Sequence, residues 1–188
     1  MITTRSLAQA FAIAVTLTGA GCATQTSAFR HMSAEEHERV GAAGGDAADA
    51  TDHLAIAQDL RRAEQAACFE VPDAERDAGP FGHRDRIEGV QVVRERLFPK
   101  APEQPVGVAV TLRAAPGLTE QWIGRVIQCH LAHKAVVGAR VAEETCPLSV
   151  DDARVDLSST HSGFRVTITS KDPAAARALI QRCSTLTD

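Results

Sequence analysis

The segment 129–133, Cys-His-Leu-Ala-His, holds the densest group of chemically capable side chains in the sequence. On a helix, His130 and His133 lie three residues apart and Cys129 lies one turn before His133, so the three side chains can approach one ion. Thiolate and imidazole suit Cu(I) and Zn²⁺, and a fourth ligand would come from Cys146 or elsewhere. The alternative is a structural, hydrogen-bonded histidine at His130 beside a disulfide at Cys129.

A second group of soft ligands comprises His31, Met32 and His37. Histidine and methionine in an exported segment can hold copper ions loosely. The alternative is a solvated segment in which these residues have no ligand role. We keep all three as candidate metal ligands beside Cys129, His130 and His133.

Motifs for catalysis are absent from the sequence. It contains no GxSxG, HExxH, EF-hand or phosphate-loop pattern and no CxxC pair. Cys129 and His130 are adjacent, so on a helix their side chains diverge and do not form a nucleophile and base. The sequence therefore predicts a non-enzymatic protein without a cofactor.

The first 23 residues have the pattern of an export signal. Arg5 precedes an apolar, small-residue run from Leu7 to Gly21, as in a secretory signal peptide. Residues 17–22, Leu-Thr-Gly-Ala-Gly-Cys, resemble the lipobox of bacterial lipoprotein precursors. The resemblance implies that residues 1–21 are the signal peptide and that Cys22 carries the acyl chains.

The resemblance also implies a location. Ala23, and not Asp, follows the modified cysteine, which in that family implies the outer membrane, with the lipid anchor as the membrane contact. The alternative is ordinary signal cleavage, which gives a soluble periplasmic or secreted protein.

With Cys22 set aside, an even number of cysteines remains in a chain predicted to reach an oxidising compartment, which predicts two disulfides. The candidates are Cys68, Cys129, Cys146 and Cys183. The sequence does not choose among the pairings, although Cys129 with Cys146 would close a loop between a helix and the following loop. The alternative is buried free thiols.

Composition limits the partners and the domain count. The net charge of −4 argues against a nucleic-acid partner. Residues 22–50 have the composition of a flexible tether, in which the capping-box spacing of Ser33 and Glu36 predicts a short helix through Val40. Residues 51–86 are predicted as a helix, from about 52 to 68, and a loop leading into a domain at 87–188.

Hydrophobic periodicity in residues 87–188 predicts the element order ββαββα. Strands are expected at 87–97 and 106–113, a helix capped by Thr119 runs to about 137, and a hairpin follows over 155–169. Asp172 caps a last helix. We predict an α+β fold with two layers, in which an antiparallel or mixed sheet carries both helices on one face. Polar side chains on the second face would bind an envelope protein partner; they are Thr111, Arg113, Arg165, Thr167 and Thr169.

Overall fold

The structure, a computed structural model, describes residues 32–96, 98–138 and 146–186. The predicted signal peptide, Cys22 and His31 lie outside these ranges. Within them, no helix is both long and apolar enough to cross a membrane. The elements in chain order are α1 (Ala34–Ala42), α2 (Ala47–Ala67), α3 (Asp73–Ala78), β1 (Ile87–Glu95), β2 (Gln104–Arg113), α4 (Glu120–Val137), β3 (Arg154–Ser159), β4 (Gly163–Thr169) and α5 (Pro173–Ser184).

The four strands form one sheet with the order β1-β2-β4-β3. Each neighbouring pair is antiparallel, so the sheet consists of two hairpin-like pairs joined through β2 and β4. The predicted order ββαββα and the α+β class are confirmed, and the sheet is antiparallel, not mixed. Thr119 and Asp172 cap α4 and α5 as predicted.

The main core lies between one face of this sheet and the helices α4 and α5. Alternation along β2 places Val108, Val110 and Leu112 on that face, and register places Val110 opposite Val166 of β4. Both helices contribute buried aliphatic side chains to the same cluster, among them Ile123 and Leu179. Burial of each such side chain contributes about 1.5–3 kcal/mol to the hydrophobic free energy.

The N-terminal helices pack against α4. A small cluster joins Ala34 of α1, Ala57 of α2 and Val136 of α4. The capping box of Ser33 and Glu36 is present, so the predicted short helix forms. However, helices occupy residues 34–42 and 47–50 of the segment that composition predicts as a tether. The packed part of the chain therefore begins earlier than predicted, because small alanine side chains let α1 and α2 pack closely on α4.

Candidate functional site

One disulfide joins two helices. Cys68 ends α2 and Cys129 lies on α4, and their sulfur atoms are bonded across a sequence separation of 61 residues. Two of the four candidate cysteines are therefore paired, but Cys129 is not paired with Cys146. The reason is that α2 packs along α4, an arrangement that the weak apolar stripe of α2 did not reveal.

The structure does not bring the predicted metal ligands of α4 together. The sulfur of Cys129 is bonded to Cys68, so it is not available as a thiolate. His133 turns to α2, where its Nδ1 lies 2.5 Å from Glu64 Oε1. Across the described ranges, no group of three or more His, Cys, Asp or Glu side chains is placed to hold a metal ion.

His130 instead forms a pair with Cys146. Cys146 immediately precedes a 3-10 turn, Pro147–Ser149, and its Sγ lies 3.4 Å from His130 Nε2. The other ring nitrogen, Nδ1, lies 2.7 Å from the backbone oxygen of Arg76. A carbonyl only accepts, so Nδ1 carries the hydrogen and the lone pair of Nε2 faces the thiol.

The electrostatic surroundings favour charge separation in this pair. Burial opposes protonation of His130, but its hydrogen bonds to Cys146 and to the Arg76 carbonyl outweigh burial and raise the pKa of His130. Burial likewise disfavours the Cys146 thiolate, yet the hydrogen bond from His130 and the positive charge of Lys134 lower the pKa of Cys146. The site is therefore a thiol beside a base of fixed tautomer.

Cys183 is the second free thiol near this pair. It is fully buried on α5, and Cys146 packs against the core cluster that contains it. Burial, with a smaller contribution from the charge of Cys146, raises the pKa of Cys183 to about 12. The neighbouring Arg182 donates from Nη1 to the backbone oxygen of Cys146 at 3.0 Å. Cys146 and Cys183 thus lie on adjoining segments, and the pKa is lowered at Cys146 but raised at Cys183.

A buried imidazole pair links α1 to α2. The Nδ1 atoms of His37 and His53 lie 2.7 Å apart, and both rings are buried. One nitrogen donates and the other accepts, so the two rings share a hydrogen bond. Sequence analysis singled out His37 with His31 and Met32 but missed His53. Met32 is half-buried just before the cap of α1.

The sheet face opposite α4 and α5 carries the five predicted binding residues. Register places Thr111 beside Arg165, and Ala109 beside Thr167. On β3, Ser158 lies opposite Arg165 and Asp156 lies opposite Thr167. The arginines are exposed, whereas the threonines are half-buried between neighbouring strands. We call this surface the outer face.

A groove adjoins one end of the outer face. Its volume is about 680 Å³, and its lining includes Arg154, Asp156 and Thr169 from the outer face together with Lys171 and Asp172. Side chains of both charges line it, so the groove suits polar or charged groups more than an apolar ligand.

Comparison with known proteins gives no match. No family model matches the chain, and no curated protein or solved structure matches it.

Proposed function

We propose that the protein is an envelope-anchored lipoprotein whose α+β domain is a non-enzymatic interaction module. The outer face of the sheet would bind an envelope protein. The observation that carries this proposal is a sheet with α4 and α5 on one face and exposed arginines on the other. An antiparallel sheet with one polar face is stable in water and can present that face to a partner.

The residues of the outer face suit an acidic protein surface. Ala109 and the half-buried threonines place short side chains at the centre of the outer face. Arg113 of β2 and Arg165 of β4 lie diagonally across from each other. Arg113 lies 3.3 Å from Glu88, a largely exposed ion pair of small energetic value that a partner carboxylate can replace. Arginine binds carboxylates through two parallel hydrogen bonds, which favours an acidic partner.

Charge reversal tests this surface. We expect R113E/R165E to recover its envelope partner about tenfold less than the wild type in pull-downs from envelope extract. The matched control is R62E, because Arg62 is an exposed arginine on α2 and not on a strand of the sheet. Equal recovery by R113E/R165E and the wild type, with unchanged thermal unfolding, would contradict the proposal.

The proposed anchor is the acylated Cys22, and the lipobox resemblance supports it. Each buried methylene contributes about 0.8 kcal/mol, and two or more chains hold a protein stably on a membrane. Partitioning between a detergent phase and an aqueous phase measures this anchor. We expect Cys22→Ala to move the protein from the detergent phase to the aqueous phase, whereas the control Thr24→Ala should stay in the detergent phase. An intact mass without acyl chains in the native protein would rule out this anchor.

Metal binding in the periplasm is the second candidate function, and the His37–His53 pair favours it. Imidazole nitrogen is a common ligand for zinc and copper, and an ion bound between these two rings would replace the hydrogen that their Nδ1 atoms share. Titration with Zn²⁺ followed by calorimetry tests this site. We expect His53→Gln to abolish the heat of binding and the exposed control His161→Gln to retain it. An absence of heat with the wild type would end this candidate.

A further inference from the structure

We propose that Cys146 and Cys183 form a thiol pair that reacts with small disulfides, in which Cys146 attacks, His130 is the base and Cys183 resolves the intermediate. The reaction is stoichiometric and leaves a second disulfide in the protein. It is independent of the outer face and of any partner that the outer face binds.

The base of the proposed reaction, His130, is held in a fixed position. His130 is almost fully buried, and the Arg76 carbonyl fixes its tautomer. Gly79 packs closely against the ring, since a Cβ added at Gly79 would come within 3.1 Å of His130 Cγ. The imidazole is therefore held with its Nε2 lone pair towards the Cys146 thiol.

Positive groups surround Cys146. Lys134 of α4 and the imidazole of His130 both favour the thiolate. Arg182 of α5 donates to the carbonyl of the same residue, which adds a positive group to the surroundings. Asp77 of α3 interacts with the imidazole and favours the protonated ring of His130, whereas the charge of Lys134 opposes protonation of that ring; around the thiol itself the charges are positive. Such electropositive surroundings are typical of reactive cysteines.

The two thiols differ in accessibility and in ionisation. Cys146 is partly accessible and activated, whereas Cys183 is fully buried and remains protonated. An incoming disulfide therefore meets Cys146 first. The shared core cluster and the bond from Arg182 to the Cys146 carbonyl keep Cys183 close behind it.

The chemistry proceeds in two exchanges. The Cys146 thiolate, whose proton His130 has taken, attacks one sulfur of RSSR, so a mixed disulfide forms and RS⁻ leaves with the proton from His130. Cys183 then loses its proton to His130 and attacks Cys146 Sγ. The Cys146–Cys183 bond forms, and the second RS⁻ leaves as RSH. In total, RSSR is reduced to two RSH while two thiols are oxidised to one disulfide.

Intact-mass spectrometry of the mature protein, with Cys68–Cys129 intact, tests this reaction with 2-hydroxyethyl disulfide as the probe. We expect the wild type to lose two hydrogens and retain no adduct. Cys183→Ser should retain one mixed disulfide, and Cys146→Ser should react about tenfold more slowly because, among the residues that the structure describes, only the buried thiol remains. A wild type that keeps both thiols, or a Cys183→Ser variant without adduct, would overturn the proposal.

The role of His130 needs a separate measurement. We expect His130→Gln to slow the formation of the mixed disulfide about tenfold at neutral pH, with the difference disappearing at high pH, where any thiol ionises. Equal rates at neutral pH would remove His130 from the reaction. If this variant does not fold, ultraviolet titration of the thiolate in Cys183→Ser decides. A Cys146 pKa below that of a free cysteine supports the pair, and an ordinary or raised pKa overturns it.

Discussion

His130 shows, at the scale of single residues, how the same side chain can suit two predictions. Its position in an apolar helical stripe is compatible with two roles, that of a metal ligand and that of a structural, hydrogen-bonded histidine. In the structure its ring bonds to the Arg76 carbonyl and to Cys146, which lie in distant parts of the sequence. Spacing along one helix predicts which residues share a face, but it does not predict the partners that other elements bring to that face.

Gly79 provides a residue-scale prediction. It adopts φ +64, and an added Cβ would also crowd the His130 ring. We expect Gly79→Ala to lower the free energy of unfolding by about 2–4 kcal/mol, from backbone strain and overpacking together. Denaturant unfolding measures this change.

Gly117 is the matched control for Gly79. Its φ is +81, but nothing lies within 4 Å of an added Cβ. Gly117→Ala should therefore lower the free energy of unfolding only by the contribution of backbone strain, about 1 kcal/mol. Equal losses for the two variants would show that contact with His130 contributes nothing.

At the scale of elements, the sequence predicted best where periodicity was strong. The strands, the two capped helices and the hairpin over residues 155–169 follow from alternation and caps, which are local signals, whereas the antiparallel pairing of the whole sheet was one of two predicted arrangements. The helical start of α2 was missed because its first turns, 47–51, are rich in alanine and lack an apolar period. Contact with α4, which no local signal reports, stabilises α1 and α2.

The cap of α4 provides an element-scale prediction. The Thr119 hydroxyl accepts from the backbone N–H of Trp122 at 3.1 Å. Thr119→Ala should lower the free energy of unfolding by about 1 kcal/mol, because that N–H loses its acceptor. Thr119→Ser, which keeps the hydroxyl, should retain most of the stability. If thermal unfolding does not separate the two variants, the cap makes no measurable contribution.

At the scale of the whole molecule, the disulfide fastens the N-terminal helices to the sheet-bearing part. Cys68 and Cys129 close a long loop that contains α3, β1 and β2. Cysteine parity predicted disulfides, but the pairing required the tertiary contact between α2 and α4. In this structure Cys146 and Cys183 are thiols, so one of the two predicted disulfides is present.

Removal of this disulfide provides a whole-molecule prediction. Cys68→Ala with Cys129→Ala should lower the free energy of unfolding by about 2–4 kcal/mol, because the unfolded chain loses its loop constraint. Urea unfolding without reductant measures the change. With reductant present, the wild type should approach the double variant. Identical midpoints without reductant would contradict a stabilising role.

The strand order also determines how the molecule opens. Among the strands that the structure describes, only β2 and β4 have a neighbour on both sides, whereas β1 and β3 lie at the edges. Backbone amides that bond between β2 and β4 become exposed to solvent only when the two halves of the sheet separate, so their hydrogen exchange should report global unfolding. The outer edges of β1 and β3 can fray without that separation. The centre of the sheet is therefore the slowest-exchanging part of the fold, and its rims are where transient pairing with another strand would begin.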